Sequence, residues 1–130
     1  MRLMPLLSED DYRVAVAATD VVLITQAAGT GQYFFPSKLL TVLVAGRPVV
    51  TVADADSELA QAVAAGGFGR NVPPGDGAAL AEVLGALATD RAALKDLAER
   101  ARVWVQPFSR ERVLADYVQQ LRAITLPEPK

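Results

Sequence analysis

Three short candidate strands, the first two apolar and mostly β-branched, constrain this chain more than any other feature. They read VVLIT (21–25), PVVTVA (48–53) and GRNV (69–72). The first two are apolar at consecutive positions, so neither side of such a strand suits water. Strands of that kind belong in a parallel sheet covered on both faces. The intervening segments carry apolar residues at helical spacing, and strands separated by helices imply βαβ units. The expected fold class is therefore α/β, with three to four parallel strands flanked by about six helices. RLMPLL (2–7) is the candidate for the tail of a fourth strand.

Helix boundaries can be read from capping residues. Ser8 and Asp11 form a short capping box that opens a helix over 9–18. Ser37 is read as the cap of a helix running to Ala45, stopped by Gly46 and Pro48. Asp56 or Ser57 caps a helix that ends before Gly66 and Gly67, and Asp76 caps the next. In that one Leu80, Val83, Leu84 and Leu87 make an apolar stripe. A charged helix with Leu94, Leu97, Ala101 and Trp104 at helical spacing follows, and Ser109 caps the last helix. Trp104 and Phe108 at that junction are expected in the core or at a docking surface. The domain is expected to cover 1–126, with 127–130 as a frayed tail.

Composition removes several chemistries. There is no Cys and no His, so disulfides, thiolate or imidazole metal ligands, cysteine nucleophiles and Ser-His-Asp catalysis are absent. The formal charge of −2 gives no basic excess of the kind nucleic-acid binding needs. No apolar run approaches the ~18 residues that read as a membrane span, and the start has too short an apolar core for a signal peptide. A cytoplasmic chain is expected, peripheral at the inner membrane where it belongs to a larger enzyme.

In open α/β sheets ligands bind beyond the carboxyl ends of the strands. The longest segment there is 26–36, which leads into Ser37 and Lys38. A lysine in a first helical turn sits at the positive end of the helix dipole. An anion resolves that conflict, because the amides of Lys38, Leu39 and Leu40 and the lysine charge would attract the same group. The other reading is an ordinary cap followed by a solvated lysine. AGTG (28–31) is either a loop of close approach to a ligand or a flexible connection. Neither it nor GGFG (66–69) completes a dinucleotide or P-loop fingerprint. Glu58 lies in the first turn of its helix, where a carboxylate is favourable without any function, yet it also borders a strand's carboxyl end.

PSKLLTVLVAGRPVV (36–50), DSELAQAV (56–63), GFGRNVPPGDGAALAEVL (67–84) and FSRERVLADYVQQL (108–121) resemble, in this order, the C-terminal half of two-Rossmann-domain (GT-B) glycosyltransferases. The likeness is to family 4 (glycosyl transferases group 1), in its colanic-acid, capsule and lipopolysaccharide-assembly branch. The resemblance implies a partial Rossmann-like domain on the donor side of a retaining hexosyltransferase of polysaccharide or glycoconjugate biosynthesis. Ser37, Lys38 and Leu39 would meet the diphosphate of a UDP- or GDP-sugar. Gln26, Gly29, Thr30, Gly31, Tyr33, Thr41 and Glu58 would border its sugar and ribose. No catalytic residue is identified, and neither a metal nor another cofactor is required. Many family members carry two glutamates eight positions apart where this chain has Tyr33 and Thr41. The resemblance also implies missing early βα units and a missing acceptor-binding domain, so the chain alone would be inactive. The expected partners are the nucleotide-sugar and either that N-terminal domain or a second copy. The alternative is a remnant serving as an interaction or dimerisation module. A weaker one is an anion-binding regulatory domain of other ancestry.

Overall fold

The computed structural model describes residues 3–31, 33 and 35–125. Three strands, β1 (Val22–Thr25), β2 (Val49–Val52) and β3 (Gly69–Val72), form a parallel sheet in the order β1-β2-β3. The helices are α1 (Glu9–Ala17), α2 (Lys38–Val44), α3 (Glu58–Gly66), α4 (Gly77–Thr89), α5 (Arg91–Val105) and α6 (Arg110–Thr125). A 3-10 turn, Gln106–Phe108, joins the last two. The expected α/β class, partial Rossmann-like with three parallel strands, is what these residues build.

Alternation along the central strand assigns the helices to two layers. Val49 and Ala53 point to one face, where they pack with Leu39 and Leu43 of α2, Leu59 and Val63 of α3, and Phe68. Val50 points to the other, against Leu87 of α4 and Leu94 and Leu97 of α5. The long helix α5 serves both layers, since Ala101, one turn beyond Leu97, belongs to the first. Val49, Val50, Leu39, Leu43 and Phe68 are all fully buried. Each such side chain contributes about 1.5–3 kcal/mol by leaving water. The one buried polar strand residue, Thr51, donates from Oγ1 to Asn71 Oδ1 at 2.7 Å, and Asn71 Nδ2 donates to the Ala53 carbonyl at 3.0 Å.

Several caps form as the sequence predicts. Ser8 Oγ accepts from the Asp11 amide, Ser57 Oγ from Ala60, and Asp76 Oδ1 from Ala79. Helix α3 ends on Gly67 at φ 60°, a left-handed conformation that a side chain resists, and its N–H returns to the Val63 carbonyl. Phe68, Trp104 and Phe108 pack in series as tilted rings with centroids 4.9 Å apart, pinning the end of α5 to the start of β3.

Two expectations need correction. Residues 3–7 form no strand: Pro5 lacks a donor, and Leu3, Met4 and Leu6 stand in water. Met1 and Arg2, the first of which precedes the suggested strand tail, lie outside the described residues, as does the suggested frayed tail. The second correction is Ser37. Its backbone is helical (φ −58°, ψ −29°) and its side chain makes no capping bond. The turn opens one residue earlier, at Pro36, whose carbonyl accepts from the Leu39 amide at 3.0 Å. Ser37 directly precedes α2, as expected, but the Pro36 carbonyl and not its hydroxyl receives the Leu39 amide.

Candidate functional site at the carboxyl ends of the strands

The segment after β1 continues the sheet for one residue, with the Gln26 amide donating to the Val52 carbonyl at 2.8 Å. It then turns tightly. The Thr30 amide and hydroxyl both donate to the Ala27 carbonyl, and the Tyr33 amide donates to Thr30. Two contacts fasten this turn over the end of β2. The Gly29 amide donates to Asp54 Oδ2 at 2.7 Å, a bond to a carboxylate. Gly31 is buried against the start of α3, where a Cβ would overlap the Cβ of Ser57. The glycine at 31 is therefore required by contact with the protein itself.

Together these segments enclose a polar cleft of about 410 Å³ lined by Gly29, Gly31, Asp54, Ala55 and Asp56. That volume is within the range of small-molecule sites, roughly 300–1,000 Å³. Its lining combines backbone groups with two carboxylates, so it can accept hydrogen bonds from hydroxyls and repels phosphate oxygens. Glu58 is exposed in the first turn of α3, beyond the buried cap Ser57. Three carboxylates, Asp54, Asp56 and Glu58, thus fall within five residues at this edge.

Lys38 and Thr41 line different surfaces. Lys38 is exposed at the start of α2, makes no ion pair among the described residues, and borders a groove with residues 4–9 and Tyr12. Thr41 lies one turn further on and lines a separate groove with Arg13, Val16, Leu40, Val44 and Ala45. Tyr33 is exposed, with 77% of its surface in water. The residues expected at one ligand therefore divide. Gly29 and Gly31 share the cleft, while Ser37, Lys38 and Leu39 form the adjoining helix start. Of the backbone amides expected to be open at that start, the one of Leu39 is occupied by Pro36.

Asp54 and Asp56 were not among the site residues expected from the sequence, where Asp56 was read only as a candidate helix cap. Their position directly after a buried strand was the available signal, because side chains there meet the binding edge of a parallel sheet. The Gly29–Asp54 bond spans 25 positions and has no local signature. Among the described residues no three His, Cys, Asp or Glu side chains converge as metal ligands would. No described helix is long and apolar enough to cross a membrane. Comparisons with protein-family models, with curated proteins and with solved structures give no match.

Proposed function

We propose that this chain is the donor-binding portion of a retaining glycosyltransferase, seating a nucleotide-diphosphate sugar across the carboxyl ends of its strands. The observation that carries the reading is the polar cleft at that edge, fastened by the Gly29–Asp54 bond. Lys38, which makes no ion pair among the described residues, opens the next helix and lines a separate groove. The two charge types suit two parts of one ligand. Asp54 and Asp56 accept hydrogen bonds from sugar or ribose hydroxyls, with Glu58 beside them. Lys38, reaching over from the start of the following helix, would meet the diphosphate and stabilise its developing negative charge as the sugar departs. Such catalysis is electrostatic and uses no imidazole or thiolate. The acceptor and the opposite wall of the cleft belong to another domain, so this portion binds donor without turning it over. Its place is the cytoplasm, where a complete enzyme of this kind would meet the membrane peripherally.

The test is an equilibrium titration with UDP-glucose and GDP-mannose. Binding in the micromolar to millimolar range is expected for one of them. Lys38→Ala should weaken it by about 1–2 kcal/mol, the size of one charge-assisted contact. Absence of binding by both at millimolar ligand contradicts the proposal.

A second reading, an interaction module without catalysis, is favoured by a different observation. Helix α6 carries apolar side chains that remain largely in water.

A further inference from the structure

Helix α6 is the longest helix among the described residues, and its substantial packing is confined to the 3-10 turn Gln106–Phe108. Val113, Leu114, Tyr117, Val118 and Ile124 are 44–79% exposed, and Leu121 on the same side is 44% exposed. At 3.6 residues per turn these six occupy one stripe about 140° wide along a helix roughly 24 Å long. A helix of this length is marginal in water and owes its stability to packing of its apolar side. Among the described residues, the two hydrophobic layers contain none from α6.

The charges beside the stripe identify the occupant. Glu111 in the first turn and Arg122 in the last border the same long edge of the stripe, next to Val118. When two copies pack antiparallel about a twofold axis, like edges face one another. With the axis near Tyr117 and Val118, Leu114 lies opposite the partner's Leu121, and Glu111 comes beside the partner's Arg122. Symmetry makes that ion pair twice. The antiparallel arrangement also sets each positive helix end beside a negative one. In a parallel pair the two edges are opposed instead, and Glu111 and Arg122 stay about 16 Å apart along the axis without a complement.

We propose that α6 is a self-association face, on which a second copy of this chain docks its own α6 antiparallel, with the Glu111 and Arg122 side chains paired across the seam. The proposal gives the interaction-module reading a specific surface and does not depend on nucleotide binding.

Sedimentation velocity of the full chain from about 10 µM to about 500 µM tests it. A monomer–dimer equilibrium is expected within that range, as suits an interface smaller than the standard size. Tyr117→Asp should abolish the dimer while leaving the melting temperature of dilute protein unchanged, because Tyr117 belongs to neither core. Glu111→Arg and Arg122→Glu should each weaken the dimer about tenfold by creating two like-charge contacts, and the double reversal should restore it. A monomer throughout overturns this proposal and leaves the interaction-module reading only with a partner other than this chain. A dimer indifferent to Tyr117→Asp, or double reversal without restoration, overturns the antiparallel α6 pairing and leaves the broader reading standing.

Discussion

Replacing Gly31 by alanine adds a single methyl group at the point where the loop after β1 meets α3. Gly31 is not at positive φ, so the substitution introduces no backbone strain. Its entire effect comes from the neighbour. The new Cβ would fall closer to Ser57 Cβ than the 3.0 Å that real Cβ atoms respect, and 3.3 Å from Ser57 Cα. Ordinary carbon contacts lie near 3.5–4.0 Å, so the loop or the helix start must retreat by about 1 Å or more. Ser57 is 1% exposed and its hydroxyl caps α3, which leaves the loop to move. Two residues away is the Gly29–Asp54 bond at 2.7 Å, which such a shift stretches. Overpacking of this kind costs about 1–3 kcal/mol, and a lost bond to a carboxylate about 1.5–3. The chain takes whichever route is cheaper, so about 1–3 kcal/mol is expected in total. For a domain of this size that is a fall in Tm of about 4–15 °C. Differential scanning calorimetry measures the fall, and an amide spectrum shows whether the Gly29 resonance moves. Gly85→Ala is the matched control. A Cβ there meets nothing within 4 Å on an exposed face of α4, so the helix should gain about 0.5–1 kcal/mol. Gly31→Ala melting within about 1 °C of the parent, with the Gly29 amide unmoved, would refute the close approach to Ser57.

Two serines that look alike in sequence should respond differently to removal of the hydroxyl. Ser57→Ala loses the capping bond to the Ala60 amide in a buried site and should cost about 0.5–2 kcal/mol in urea unfolding. Ser37→Ala removes no capping bond from an exposed position and should change stability by less than about 0.5 kcal/mol. A larger loss at Ser37 than at Ser57 would contradict the assignment of the turn start to Pro36. Thr51→Val strands the Asn71 amide oxygen near the core and should cost about 1–3 kcal/mol, read from the same urea curves.

The contrast between those serines also shows where the sequence was legible. The strand GRNV (Gly69–Val72) appears with the boundaries its residues suggest, because an αL glycine precedes it and PPGD follows it. Asp76 and Ser57 were readable as caps because each stands in an extended or irregular backbone just before a helical run. Ser37 matched the same local pattern and does stand just before α2, but its side chain makes no capping bond. What distinguishes it is a bond with no side-chain signature, the Leu39 amide donating to the Pro36 carbonyl. The helix boundaries were otherwise set by punctuation that the chain displays openly, such as Gly46 and Gly67. The cleft was only half legible. That the loop over 26–36 lies at the binding edge follows from its place after a strand. That Asp54 and Ser57 hold it there depends on contacts spanning 25 and 26 positions, which no local pattern encodes. The separation of Thr41 from the cleft likewise depends on how α1 packs beside α2.

Amide chemical-shift mapping with UDP-glucose and GDP-mannose tests the donor-seat account most directly, because it reports both binding and place. The account predicts that one of them shifts the resonances of Gly29, Gly31, Asp54 and Asp56 together with Lys38, and that Lys38→Ala reduces the affinity about tenfold without moving the site. Shifts confined to α6, or no shifts at millimolar ligand, would contradict it.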